Sequence, residues 1–218
     1  PERSAQRNFG MMKKSEGKYL MFLDADMILS PFVVSGCVKK IEEDNSLAGF
    51  YIKEIVLGKN YFSKVRRFER GFYDGTVVDG VRFLKKDIFE KAGGFDEDLY
   101  AAEDWDLDKR IRKYGQIKVL EGGDNVIYDN WELFDFIKDR GVDSGNYGCV
   151  IFHNEAEFDL KKYLSKKAYY SKNFDSYIKK WGKEDKDVKK QFGFWYRYFG
   201  IFLENGKWKK LLGRIDLA

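Results

Sequence analysis

Lys18-Tyr19-Leu20-Met21-Phe22-Leu23-Asp24-Ala25-Asp26-Met27-Ile28-Leu29 is the stretch on which the reading of this chain turns. Its apolar first half ends in two carboxylates, Asp24 and Asp26, separated only by Ala25. A short apolar run that gives way to charge reads as a buried strand, Tyr19–Leu23, emerging at the carboxyl end of a sheet, where open α/β sheets bind their ligands. Strand side chains alternate faces, so a continuing strand points Asp24 and Asp26 the same way. Two carboxylates side by side repel each other, and burying them unpaired is costly. A hard divalent cation, Mg²⁺ or Mn²⁺, resolves both problems, because it takes oxygen ligands from carboxylates and from a substrate phosphate. The plainer reading stands beside this one: Asp24 ends the strand and Asp26 forms a turn.

The flanking sequence supplies helices. Ser4 is placed to cap a helix through Lys14, with Ala5, Phe9 and Met12 on its apolar face and Gly17 as its stop. Downstream, Ser30-Pro31 reads as an N-cap followed by Pro in the first turn, with Val34, Cys37, Val38 and Ile41 facing inward. Helix, strand, helix is an α/β pattern. Leu47–Leu57 reads as one strand, and Asn60–Tyr73 as an amphipathic helix whose Lys64, Arg66, Arg67 and Arg70 form a solvated basic face. Thr76–Lys85 reads as a strand interrupted at Asp79-Gly80. Asp87 and Glu90 suggest a capping box for a short helix that stops at Gly93-Gly94, and Phe95–Asp98 a turn. The strongest helix signal opens at Glu103-Asp104-Trp105-Asp106, with acids first, Lys109, Arg110, Arg112 and Lys113 last, and Gly115 as the stop. Gln116–Leu120 and Asn125–Tyr128 read as strands, Trp131–Arg140 as a helix, and Tyr147–Phe152 as an apolar run ending at His153, the sole histidine. From there the chain turns aromatic and basic, with helices expected over 157–172, 175–181, 188–203 and 207–214 and with Trp195, Tyr196, Tyr198 and Phe199 expected in a core.

The 218 residues suffice for one domain with a substantial core. Forty basic against 36 acidic residues leave a net charge of only +4, so nucleic acid is not an expected partner on charge. Cys37 and Cys149, the only cysteines, lie in apolar surroundings, which suggests core thiols and a reducing compartment. No apolar run approaches the ~18 residues of a membrane span. The expected location is cytoplasmic, either free or at the inner face of the membrane. Pro1 is not an initiator Met, and a strand as apolar as Tyr19–Leu23 calls for sheet neighbours on both sides, so the sequence reads as a piece lacking an N-terminal portion.

Taken in order, these pieces resemble the family-2 glycosyltransferases with a GT-A fold, over about residues 3 to 172. Ser4-Ala5-Gln6-Arg7-Asn8-Phe9-Gly10 is similar to the family's Arg-Asn-x-Gly helix, and Phe22-Leu23-Asp24-Ala25-Asp26 to its metal-binding Asp-x-Asp. Asp79-Gly80-Val81-Arg82-Phe83 followed by Gly93-Gly94-Phe95-Asp96-Glu97 resembles its glycine loop and Gly-Gly-Phe-Asp turn. Ala102-Glu103-Asp104-Trp105-Asp106-Leu107 resembles its Glu-Asp catalytic motif, and Ile151-Phe152-His153 its late metal-binding histidine. The family's opening βαβ half, with its Pro-x-Tyr-Asn strand end and base-holding Asp, has no counterpart here, and neither does the Gln-x-x-Arg-Trp of processive synthases.

The resemblance implies an α/β, Rossmann-like mixed sheet flanked by helices, truncated at its N-terminus. Residues 1–153 would be the rest of the catalytic domain and 154–218 a helical extension packed on it. It implies an inverting transfer of sugar from a UDP- or GDP-linked donor to an acceptor hydroxyl on a glycan or a lipid-linked carrier, with peripheral membrane contact and Mn²⁺ or Mg²⁺ as cofactor. The metal would be held by Asp26 with Asp24 and His153; Asp24 would alternatively reach the ribose or a metal-bound water. Asp104 would be the base and Glu103 would position the reactants, while Arg7, Asp24, Gly80 and Trp105 would bind substrate. Two other readings compete. A sugar-nucleotide pyrophosphorylase also pairs carboxylates with a metal, but it does not call for Glu103-Asp104 or His153. A non-enzymatic basic and aromatic module, centred on 157–214, would bind nucleic acid or anionic membrane.

Overall fold

The computed structural model describes residues 2–122, 131–142, 148–154, 159–171 and 173–213. The chain opens with helix α1 (Glu2–Asn8), which runs on as a π-helix over Phe9–Lys14, then strands β1 (Tyr19–Met21) and β2 (Met27–Leu29) and helix α2 (Val33–Glu43). Strands β3 (Leu47–Tyr51) and β4 (Lys53–Val56), helix α3 (Tyr61–Arg70), strand β5 (Phe83–Lys85), helices α4 (Lys86–Lys91) and α5 (Glu103–Ile111) and strand β6 (Gln116–Val119) follow. Helix α6 (Trp131–Lys138) and strand β7 (Val150–His153) precede the helical end: α7 (Leu160–Ser171), α8 (Phe174–Trp181), α9 (Lys186–Phe192), a π-helix over Tyr196–Gly200, α10 (Ile201–Leu203) and α11 (Lys209–Gly213).

The strands form two mixed sheets flanked by helices, an α/β architecture of the Rossmann-like class. One runs β1-β5-β3-β6, antiparallel except for the β3–β6 pair; the other runs β2-β7-β4, with β2 antiparallel and β4 parallel to β7. Every residue of β3 is buried, and the neighbours Phe83 and Leu84 on β5 enter different apolar clusters, so the larger sheet is covered on both faces. Among the described residues β1 pairs on one side only, with β5.

Several local readings change. The run around Asp24 and Asp26 is two strands, β1 and β2, in different sheets, with Ala25-Asp26 in a turn between them. Strand alternation therefore does not set the directions of the two carboxylates. Leu47–Leu57 is likewise two strands, one in each sheet, dividing at the buried Ile52. Ser4 is a buried residue inside α1 rather than its cap. The π-helical continuation widens the turn, so Met11 is buried while Phe9 is exposed. Ser30 does not cap α2, which starts only at Val33; its hydroxyl donates to Gly148 O and accepts from Val150 N, fastening β2 to β7. Asp87 makes no capping bond and instead pairs with Lys91. Thr76–Lys85 is strand only from Phe83, and the segment expected as one helix over 188–203 divides at Gly193. Asn125–Tyr128 lies outside the described residues.

The basic face expected on α3 is solvated at Lys64 but not at its arginines. The Arg67 guanidinium donates to the carbonyls of Val56, Gly58 and Gly141, and Arg70 is buried against two carboxylates. Asn60 caps the same helix by accepting from Ser63 N at 2.7 Å. Cys37 and Cys149 are buried and unbonded to each other, both in the cluster with Ile41, Phe50 and Ile151.

Gly93 and Gly94 have positive φ, as a helix stop requires. A Cβ on Gly94 would collide with Met12 Cε and lie 2.7 Å from Asn8 Oδ1, and Asn8 itself accepts from Phe95 N and donates to Phe95 O. This contact seats α1 on the loop before α5. Gly94→Ala is expected to cost about 2 kcal/mol and lower Tm by roughly 4–8 °C in a thermal melt. Gly182→Ala, also at positive φ but facing open space, is expected to cost less than this.

Candidate active site

Strand register builds the centre of the site. Met27 pairs with His153 across β2–β7, and His153 pairs with Val56 across β7–β4. Asp26, one residue before Met27, and Glu54, two before Val56, are thereby brought to the same histidine. Asp26 Oδ2 lies 3.3 Å from His153 Nε2, and Glu54 Oε2 lies 3.6 Å from Nδ1. The Asp26 carbonyl accepts from Asn154 N, which fixes the turn.

Glu54 is buried and is also gripped by two arginines, Arg70 Nε at 3.1 Å and Arg82 Nη2 at 2.9 Å. Burial pushes its carboxyl up, but Arg70, the His153 hydrogen bond and Arg82 outweigh this and hold it well below the usual carboxylate range. The charges continue in both directions. Arg70 reaches Asp79 at 3.2 Å. Arg82 reaches Asp24 at 3.5 Å, Arg7 holds Asp24 at 2.6 Å and Glu103 at 3.4 Å, and Arg3 holds Glu103 at 2.6 Å. The result is one alternating chain: Asp79–Arg70–Glu54–Arg82–Asp24–Arg7–Glu103–Arg3. Phe22 lies between two of its cations, with Arg7 4.6 Å and Arg82 5.1 Å from the ring centroid. Partial burial raises the Asp24 carboxyl, but Arg82 and Arg7 bring it below its ordinary value. Glu103 is shifted the other way: burial and the adjacent Asp104 raise it against the pull of Arg3 and Arg7.

The Glu-Asp pair opens α5 from a left-handed residue, Ala102 at φ 61°. A non-glycine residue held there costs about 1–2 kcal/mol and directs the start of the helix. Asp79 organises the facing loop by accepting from Gly75 N and Gly80 N. Gly80 lies against Asp104: a Cβ there would touch Asp104 Cβ at 3.4 Å and its Oδ2 at 3.5 Å, ordinary van der Waals contact. Trp105 donates its indole N–H to Val78 O and stacks on Phe174, with centroids 5.7 Å apart and planes 3° from parallel.

Arg7, Asp24, Asp26, Glu103, Asp104 and Trp105 all line one cavity of about 1550 Å³. Gly80 supports its wall behind Asp104, and His153 meets it through Asp26. The two carboxylates of Asp24-Ala25-Asp26 have separate partners, arginines for Asp24 and histidine for Asp26. The sequence reading passed over Glu54, Arg82, Arg70, Arg3 and Asp79 as functional positions. The signal for Glu54 was present, as a single carboxylate inside the apolar run Ala48–Leu57.

Among the described residues no three His, Cys, Asp or Glu side chains converge as a cation cage. A two-donor site does fit. A carboxylate on one ring nitrogen is the usual support for a metal-binding histidine, and Glu54 on Nδ1 leaves Nε2 directed at Asp26. Mg²⁺-type ions commonly take one or two protein ligands and complete their shell with water and phosphate oxygens.

Removing the Glu54 charge leaves the buried Arg70 only its ion pair with Asp79, and Arg82 only its ion pair with Asp24, among the described residues. Glu54→Gln is expected to cost about 3–5 kcal/mol in urea unfolding. Asp87→Asn, which breaks an exposed pair, is expected to cost under about 1 kcal/mol. Compared with known proteins, the chain matches no protein-family model and no curated protein.

Proposed function

We propose that the chain carries the catalytic centre of an inverting, metal-dependent glycosyltransferase of the family-2, GT-A type, moving sugar from a UDP- or GDP-linked donor to an acceptor hydroxyl. The observation that carries this reading is the convergence in one cavity of a carboxylate–histidine pair, an arginine-held carboxylate and a Glu-Asp helix start. Each of these answers a need of the reaction.

The departing diphosphate gathers negative charge. Asp26 and His153 would hold Mn²⁺ or Mg²⁺, whose contribution there is Lewis-acid stabilisation of that charge. Arg7 and Arg82 add fixed positive charge in the same wall, already oriented by Asp24 and Glu54. Asp24, anionic and turned to the arginines, is suited to accept from a ribose hydroxyl. Asp104, set against Gly80, takes the proton from the acceptor hydroxyl as it attacks the anomeric carbon from the face opposite the diphosphate. Glu103, with its raised affinity for protons, orients a sugar or acceptor hydroxyl. The aromatic wall around Trp105 and Phe174 excludes water, which would otherwise compete as the acceptor.

A thermal-shift titration with Mn²⁺ and either UDP or GDP tests the donor site. Saturation at about 100 times Kd should stabilise the chain by roughly 2.7 kcal/mol, a rise of about 5–10 °C. Asp26→Asn should abolish the part that needs metal. Asp104→Asn should keep the shift but lower transfer by about 10²–10⁴-fold in a labelled-donor assay. Absence of any metal-dependent shift, or transfer unchanged in Asp104→Asn, would overturn the reading.

A further inference from the structure

Of the aromatics expected in a core, Trp195, Tyr198 and Phe199 are exposed and only Tyr196, bonded to Glu204, is partly buried. Trp195 is 75% exposed, Tyr198 64% and Phe194 61%, and Phe199 is half exposed. They form one contiguous patch: Phe194 meets Trp195, Tyr198 and Phe199 at centroid distances of 5.8, 4.7 and 6.3 Å, and Trp195 meets Phe199 at 5.3 Å. Leu203 and Leu212 extend the exposed apolar surface.

The segment that carries the patch is firmly seated. Ile201 is fully buried, Phe202 packs on Phe72 at 4.9 Å, Gln191 donates to Val77 O, and Lys207 donates to Phe72 O and Asp74 O. The aromatics are therefore presented outward by a rigid base. Over residues 193–213 the charges are Arg197, Lys207, Lys209 and Lys210 against Glu204 alone; Lys207 and Lys210 are tied to backbone carbonyls, Arg197 lies over Tyr73, Glu204 is engaged by Lys190 and Tyr196, and Lys209 is exposed. Phe194, Tyr198, Phe199 and Leu203 also line the cavity, so the patch is its outer rim.

We infer that this aromatic ledge docks the protein on an anionic bilayer surface, with the cavity mouth against the headgroups. Two properties select a lipid surface. Trp, Tyr and Phe on a fixed ledge match the depth of the headgroup and upper acyl region, and the surplus of cations matches anionic headgroups. No helix among the described residues is long and apolar enough to cross a membrane. An apolar rim running into a polar, charged floor would let a membrane-held acceptor present its polar end without leaving the bilayer. That corollary rests on the transfer reading; the docking itself does not.

The test is co-sedimentation of the purified chain with vesicles of phosphatidylcholine alone and with 30% phosphatidylglycerol (about a third anionic, enough to set a negative surface potential). No donor, acceptor or metal is present, so the result is independent of sugar transfer. The expected result is binding to the anionic vesicles at least several-fold above the neutral ones and weakened by salt. The double variant Trp195→Ala/Phe199→Ala, with an unchanged melting temperature because both side chains are exposed, should bind at least tenfold more weakly. Equal binding by the double variant, or no binding to anionic vesicles, would overturn the inference. So would a concentration-dependent dimer in solution that the double variant abolishes, since the ledge would then be a self-interface.

Discussion

The candidate site depends on one buried carboxylate. Glu54 holds two guanidiniums and one ring nitrogen of an imidazole at once, and each of those groups reaches onward to another part of the site. Arg70 fixes Asp79 and its loop, Arg82 reaches Asp24, and His153 meets Asp26. A buried ion pair need not be net stabilising, because desolvating both charges offsets most of their attraction. Its value lies in geometry. Charges already removed from water and held by one another do not reorganise when a charged ligand arrives, which is the condition under which electrostatic stabilisation is most effective. The alternating order also prevents the four arginines from repelling one another across a common cavity.

The helical end of the chain supplies the other half of the cavity. Trp181 donates to Asp106 at 2.9 Å, and Lys180 reaches Asp106 at 2.7 Å and Asp96 at 2.6 Å, so α8 is locked to α5 and to the turn after Gly94. The buried Tyr177 donates to Gln191, and Gln191 in turn donates to Val77 O beside the glycine loop. The aromatic wall is thus registered against the charged floor through polar contacts. A cavity with charge at one end and aromatic rings at the other suits a ligand with the same asymmetry.

By itself the sequence determined what was local. The Gly93-Gly94 stop, the acid-first helix at Glu103, the Asn60 helix start and the α/β alternation are written in residues a few positions apart, because caps, positive φ and the macrodipole act over one turn. Of the candidate site residues, Asp24 and Asp26 stood out locally as the charged end of an apolar run, whereas Arg7, Glu103, Asp104 and Trp105 were singled out only through the family resemblance; all six line one cavity. Only the tertiary structure decided the pairings. That Asp24 belongs to arginines while Asp26 belongs to His153 follows from a division between two sheets that no periodicity marks. Glu54 and His153 meet because β4 and β7 lie parallel, a contact spanning about a hundred residues. The α3 arginines point inward and the Trp195 patch outward, both against expectation, because an amphipathic pattern gives the faces of a helix but not what stands opposite them.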